Sequence, residues 1–178
     1  MAALTVAILA CGERGAGDGP VATGAAARTG AKVARVVDGD TLIVRLADSR
    51  RVRVRLIGID TPETKRPGTP VQCGGPQATA AMRRLALRGE GRRARGRAVS
   101  LIADRSQDAE DRYGRTLAYV EAQDDAGATR DLGRALVRLG WARARAYDGR
   151  YARQDAYDAA QTAARRESAG IWALCAAG

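Results

Sequence analysis

Residues 32–64 read KVARVVDGDTLIVRLADSRRVRVRLIGIDTPET, and this run decides the fold. Three β-rich stretches, Val33–Val37, Thr41–Ala47 and Arg51–Ile57, are separated by the turn-forming triplets Asp38-Gly39-Asp40 and Asp48-Ser49-Arg50. The third stretch alternates cleanly. Arg51, Arg53 and Arg55 fall on one face of it, and Val52, Val54 and Leu56 on the other.

Downstream, Gly75-Pro76 opens a helical stretch to about Arg88, with Ala80, Leu85 and Leu87 among its apolar residues and Pro76 suited to a first turn. Gly89–Arg97 (GEGRRARGR) reads as a basic loop, and Ala98–Ala103 and Arg115–Glu121 as two more strands. Asp131 can cap a helix that runs through Leu139 and stops at Gly140. A last helix extends from about Tyr151 to Glu167 and stops near Gly170. Three strands, a helix, two strands and then helices is the order expected of an α+β chain with a mainly β core. The specific expectation is a five-stranded OB-type Greek-key barrel with about three packed helices. The 178 residues suffice for one domain with a real core plus a tail, and no internal repeat is visible.

Upstream, Met1–Ala10 (MAALTVAILA) is apolar and uncharged and runs directly into Cys11. Ile8-Leu9-Ala10-Cys11 resembles a bacterial lipobox, although a positive leading segment is absent, so a lipoprotein signal and a plain apolar start both remain open. Residues 12–31 are Gly/Ala-rich without apolar period and read as a flexible tether. The expected organisation is therefore a signal and tether over 1–31 and a folded domain over 32–178. Cys73 and Cys175 are either free thiols or a bridge that ties the tail to the body; a bridge would be worth up to roughly 4–5 kcal/mol in the chain-entropy model. An exported location would favour the bridge.

Lys+Arg total 30 against 20 Asp+Glu, a formal net charge of +10, and only Lys32 and Lys65 are lysine. The charges of residues 1–31 (Glu13, Arg14, Asp18 and Arg28) cancel, so the excess belongs to the domain and points to a polyanionic partner, nucleic acid first and anionic membrane second. The chain contains no histidine. That excludes Ser-His-Asp and Cys-His nucleophiles, His-ligated zinc and a histidine general base. Acid–base chemistry must run on carboxylates, tyrosine, lysine or metal-bound water.

Three segments carry chemistry: Asp38-Gly39-Asp40-Thr41, then Arg55-Leu-Ile-Gly-Ile-Asp60-Thr61-Pro62-Glu63-Thr64, then Asp111-Arg112-Tyr113-Gly114-Arg115. Singly, each is ordinary turn chemistry. Together and in this order they resemble the staphylococcal nuclease (thermonuclease) family, with further likeness at Gly75-Pro76, Leu117-Ala118-Tyr119, Leu136-Val137-Arg138 and Gly170-Ile171-Trp172. The resemblance spans about Lys32 to Trp172 and implies an OB-fold nuclease that hydrolyses DNA and RNA with Ca2+, leaving 5′-hydroxyl and 3′-phosphate ends. It implies that Asp40, Asp60 and the Thr61 carbonyl hold calcium and that Glu63 activates or orients the attacking water. It also implies that Arg55 and Arg115 clamp the phosphate and that Tyr113, with Arg112 beside it, contacts substrate.

The chemistry is coherent in itself. An anionic phosphodiester repels hydroxide, and a hard cation with two guanidiniums neutralises the charge that develops, while a carboxylate handles the water proton. Two direct carboxylates suggest weak calcium binding, on the order of 10⁻⁴–10⁻³ M, as in extracellular modules. The expected protein is a bacterial, secreted or cell-surface monomer, attached to a membrane if Cys11 is lipidated. The competing expectation is a noncatalytic nucleic-acid-binding OB module, against which the full set of five charged site residues speaks. Asp38 reads as a turn former, Arg51 and Arg53 as either surface ion pairs or phosphate contacts, and Trp141 and Trp172 as core. Tyr113, Tyr147 and Tyr151 are candidates for base stacking whose register stays open.

Overall fold

The structure is a computed structural model that describes residues 29–175 apart from 65–67, 69 and 90. Cys11 and the stretch through Arg28 lie outside the described residues, as do four residues of the loop that begins at Lys65. One sheet contains β1 (Thr29–Val36), β2 (Thr41–Leu46), β3 (Arg51–Leu56), β4 (Ala98–Ile102), β5 (Thr116–Gln123) and β6 (Thr129–Asp131), in spatial order β3-β2-β1-β4-β5-β6. Neighbours in that order run antiparallel. β3 also pairs in parallel with β5, Val54 with Thr116 through Leu56 with Ala118, which closes five strands into a ring and leaves β6 as an addition to β5.

The alternation of the first hairpin explains the inside of this ring. Leu42, Val44, Val54 and Leu56 are buried, while Arg45, Arg51 and Arg53 face outward. Burying one apolar face of each strand fixes the register, because a slip of one residue would exchange the faces. β1 starts at Thr29, three residues before the domain edge read from the sequence, since Ala31 pairs with both Leu46 and Val99.

Helix α1 (Gly75–Ala86) closes one side of the barrel with Ala78, Ala81, Met82 and Ala86, the i, i+3, i+4, i+8 stripe of a core-facing helix. It ends two residues short of the expected Arg88. Leu87 and Arg88 instead pair with Gly96 and Arg95, so the basic loop is a small hairpin around a turn of 3-10 helix at Gly91–Arg93. α2 (Leu132–Arg138) is capped by Asp131, whose carboxylate accepts the Arg134 N–H at 3.0 Å. α3 (Gln154–Arg166) begins three residues later than its sequence reading, and one further turn, α4 (Ile171–Leu174), follows Gly170. The outcome is an α+β, OB-like ring with three full helices, as the sequence indicates. Among the described residues no helix is long and apolar enough to cross a membrane.

Two devices hold the C-terminal half to the barrel. Cys73, just before α1, is disulfide-bonded to Cys175, 102 residues away. Asp104, buried at the end of β4, accepts hydrogen bonds from the Tyr119 hydroxyl at 2.5 Å, the Ala152 N–H at 2.7 Å, and both the N–H and hydroxyl of Ser106. Asp104 thereby ties β5 to the segment leading into α3. Burial alone would raise the Asp104 pKa, but these donors outweigh it and hold the carboxyl below its ordinary value.

The sign of that shift makes a prediction. A depressed folded-state pKa contributes stability that is present above about pH 4 and lost as pH falls through the folded value. Asp104→Asn should lower stability at pH 7 by roughly 1.5–3 kcal/mol, and the wild-type and variant urea midpoints should approach each other as pH falls below the ordinary carboxylate range. A gap that stays constant with pH would mean that Asp104 is not ionised in the fold. Separately, reducing the disulfide should destabilise the domain by up to roughly 4–5 kcal/mol, the chain-entropy value for a loop of this length, measured as the difference in urea midpoint with and without reductant.

Candidate active site

The first turn places a carboxylate against the barrel. Asp38 accepts the Asp40 N–H at 3.2 Å, the i to i+2 contact of a turn-forming Asp, in line with its sequence reading. Gly39 lies where a Cβ would come within 2.7 Å of the Thr61 methyl, so only glycine lets the turn approach the segment after β3 this closely. Asp40 is thus aimed at Thr61. Its Oδ2 accepts the Thr61 N–H at 3.1 Å and the Thr61 hydroxyl at 2.7 Å, and its Oδ1 accepts the Thr41 hydroxyl at 3.1 Å.

Arg55 sits across the hairpin, paired with Thr41 in the ladder. It is 8% exposed, and its guanidinium donates to the carbonyls of Leu56 at 3.2 Å and Ile59 at 2.9 Å and to the Tyr147 hydroxyl at 2.9 Å. Its nitrogens lie 3.3 Å from the Asp40 carboxylate and 3.8 Å from that of Asp60. Burial alone would lower its pKa, yet Asp40, with Tyr147 and Asp60, outweighs burial and raises it.

Gly58, at φ +76°, turns the chain after β3. The next two residues, Ile59 and Asp60, pair with Ala144 and Arg143, which brings the segment after α2 across the site. Asp60 there accepts the Tyr147 hydroxyl at 2.7 Å and Arg145 at 2.9 Å. Burial, despite the opposing Arg55 charge, pushes the Tyr147 phenol up to about 12, so it stays a neutral donor. Glu63 is braced through its backbone: its N–H donates to the Gln72 side chain at 2.8 Å, and its carbonyl accepts the Gln72 N–H at 2.9 Å. Its Oε1 accepts the Thr64 N–H at 2.9 Å.

Arg115 is held by Asp111, which receives its Nε at 2.7 Å and its Nη2 at 2.6 Å, along with the Tyr113 and Arg115 N–H groups. Burial would raise the Asp111 pKa, but the Arg115 guanidinium holds it below its usual value. Tyr113 is exposed, with the guanidiniums of Arg112 and Arg115 over its ring at 4.9 and 5.4 Å. One cleft of about 560 Å³ gathers Asp40, Arg55, Asp60, Thr61, Glu63, Arg112, Tyr113 and Arg115.

The family model described as "Staphylococcal nuclease homologue" matches residues 53–174, which include most of this cleft. The chain belongs to the staphylococcal nuclease family. It is 38% identical over 141 residues to a thermonuclease of Staphylococcus hyicus, covering 79% of this chain and 74% of that one. It is 37% identical over 140 residues to a thermonuclease of Staphylococcus intermedius, with the same coverage. Endonuclease YncB of Bacillus subtilis (strain 168) is 37% identical over 86 residues, 48% of this chain and 36% of that one.

Within this nuclease-family cleft the structure adds residues and removes one. Arg145 and Tyr147 engage Asp60, and Asp111 orients Arg115; the sequence marked Tyr147 only as a candidate for stacking and gave Arg145 and Asp111 no role. Tyr151 is corrected: it is 2% exposed, hydrogen-bonded to the Gly58 carbonyl at 3.2 Å and packed edge-on against Tyr157, so it cannot stack on a base. Trp141 packs partly buried against the core, and Trp172 lies under the guanidiniums of Arg143 and Arg165.

The donor chemistry fits a hard cation. Asp40, Asp60 and the Thr61 carbonyl offer oxygen only, and a carboxylate has about four lone-pair sites, so Asp60 can keep both partners and still bind a metal. Among the described residues no three His, Cys, Asp or Glu side chains cluster as a ready metal cage, so water and substrate would complete the shell. Burial, reinforced by the Asp40 charge, raises the Asp38 pKa to about 6.

Gly58 supplies the test of this construction. A Cβ there would come within 2.5 Å of the Tyr151 ring, in a backbone conformation that L side chains avoid. Gly58→Ala should cost at least about 2 kcal/mol, since strain of 1–2 kcal/mol adds to the overlap, and should free Tyr147 from Asp60. Urea denaturation and tyrosine fluorescence would read both effects; an unchanged midpoint would show that the turn tolerates a side chain.

Proposed function

We propose that the protein is a Ca2+-dependent, sequence-nonspecific endonuclease that hydrolyses DNA and RNA to 5′-hydroxyl and 3′-phosphate ends. The convergence of Asp40, Asp60, Glu63, Arg55 and Arg115 in one cleft carries this reading. Guanidiniums of Arg55 and Arg115 aimed at phosphate oxygens through a bidentate fork read no base edge, which accounts for a lack of sequence preference.

Arg55 enters the reaction already oriented, because its backbone and carboxylate contacts fix the plane of the guanidinium. It and Arg115 neutralise charge that grows on the phosphate oxygens as water adds to phosphorus. Arg115 turns from Asp111 toward the phosphate, and Asp111 keeps it within reach meanwhile. Glu63 takes a proton from the attacking water as the new P–O bond forms. The bond from phosphorus to the 5′ oxygen breaks, and that oxygen leaves as the 5′-hydroxyl after protonation from solvent. Calcium held by Asp40, Asp60 and the Thr61 carbonyl would supply the remaining positive charge at the phosphate. Tyr147 acts as a brace, tying Arg55 to Asp60.

The same reading makes the protein a secreted or surface-attached bacterial enzyme. The Cys73–Cys175 pairing suits an oxidising compartment, and the Ile8-Leu9-Ala10-Cys11 sequence suits lipidation.

Glu63→Gln should lower kcat by roughly 10²–10⁴-fold, the usual worth of a general base, with KM and thermal midpoint nearly unchanged. Cleavage at the wild-type rate would remove Glu63 from this role. EGTA should abolish plasmid and RNA digestion and excess Ca2+ should restore it; full activity with Mg2+ in EGTA would exclude the calcium assignment.

A further inference from the structure

The outward face of β1–β3 carries cations arranged differently from those elsewhere. Lys32 lies directly opposite Arg45, and Arg45 directly opposite Arg51, so three cations form a row across three strands. The next row contains Arg35, Ile43 and Arg53. Residues 32 and 35 share this face because the register shifts between Val33 and Arg35: the extra residue, Ala34, resets the alternation of β1. All five cations are exposed, and Lys32, Arg35, Arg45 and Arg51, with Arg95, border a groove of about 560 Å³.

Like charges directly opposite on neighbouring strands are destabilising. Seven arginines elsewhere have their charge relieved at close range: Arg50, Arg97, Arg115, Arg130, Arg138, Arg150 and Arg153 each have a carboxylate within 2.8 Å. Among the described residues Lys32, Arg35, Arg45, Arg51 and Arg53 have none within ion-pair distance. The face also leads into the cleft. Arg51, Arg53 and Arg55 share one side of β3, so the row is about 13 Å from Arg55 at 3.3 Å per residue, roughly four phosphate rises of a duplex strand.

We propose that this face is a second binding site, for the phosphodiester backbone of the nucleic acid that occupies the cleft. Resting on the nuclease reading above, it adds a track that grips the chain beyond the scissile bond. Phosphates there neutralise a row that otherwise repels itself. The site therefore favours substrates long enough to reach it, and it contributes to binding, not to the chemical step.

The test is a triple variant of the full chain, Arg45→Gln/Arg51→Gln/Arg53→Gln, against a control of equal charge change on exposed helix positions, Arg83→Gln/Arg84→Gln/Arg166→Gln. The track variant should keep or raise the thermal midpoint, because repulsion is removed. Its KM for a 30-nucleotide single strand should rise at least about tenfold with kcat unchanged, and its kcat/KM for a dinucleotide should match wild type. The salt slope of log binding should flatten by about 2, from 0.7 per lost phosphate contact; binding is measured by anisotropy in EGTA. An unchanged KM and slope for the 30-mer overturns the track, as does an equal loss in the control variant. Weakened binding to phosphatidylglycerol vesicles with normal 30-mer kinetics also overturns it, in favour of a membrane surface. If wild-type protein cleaves neither substrate with Ca2+, the nuclease reading has failed; a track failure leaves wild-type cleavage intact.

Discussion

The buried guanidinium of Arg55 organises the cleft. Arg55 cannot shed its charge, so a fold that buries it must supply acceptors and counter-charge in the right places. Five are brought to it: the carbonyls of Leu56 and Ile59, the Tyr147 hydroxyl, and the carboxylates of Asp40 and Asp60. They come from the β1–β2 turn, the end of β3, the turn through Gly58 and the segment after α2. Removing one partner would leave part of a charge unpaired in the interior, a loss of several kcal/mol when the pair is fully buried. The constraint that assembles the cleft is thus one that folding itself must satisfy, and the site is preorganised because the alternative is an unsolvated cation.

How far the sequence disclosed this depends on the range of each interaction. The first hairpin was legible because its alternation and turn residues are local. The Asp131 cap and the carboxylates of the two Asp-containing turns were legible for the same reason. Tyr147 and Arg145 were not, since their partner Asp60 lies over 80 residues upstream and no spacing within Trp141–Tyr151 indicates which tyrosine meets it. The choice is made by Gly58: with no Cβ it leaves room for the Tyr151 ring, and burying that ring leaves Tyr147 at the mouth of the cleft. Asp111 was local yet missed, because Asp-x-Tyr-Gly reads as turn chemistry whether or not its carboxylate also orients an arginine. The β5–β3 closure was reachable only through the order of elements, for parallel pairing leaves no local signature.

The disulfide and the loop that carries Glu63 are physically linked. Cys73 follows Gln72, whose side chain and N–H brace both backbone groups of Glu63. Gly74 packs so close that a Cβ would lie 2.6 Å from Ile171 and 3.7 Å from the Cys175 sulfur. The C-terminal turn therefore presses on the residues that hold Glu63. A crosslink of this span stabilises chiefly by restricting the unfolded chain, but its position also limits how far the proposed general base can wander in the folded one.

The missing histidine and the surplus of arginine answer the same problem from two sides. Without imidazole, titration near neutrality falls to a carboxyl whose surroundings oppose ionisation, and Asp38, pushed to about 6 by burial and by Asp40, is such a group. A cation at the Asp40 turn would offset the part of that opposition that comes from the Asp40 charge. Arginine works in the opposite sense. Most of the acidic residues that line loops and helix ends are already taken up by an arginine, so positive charge is cancelled over much of the surface. Among the described residues, exposed arginines without a carboxylate partner remain on the helices too, such as Arg83, Arg84 and Arg166; on the outward face of β1–β3 they stand in cross-strand rows, and this arrangement, more than the formal +10, would draw a polyanion there.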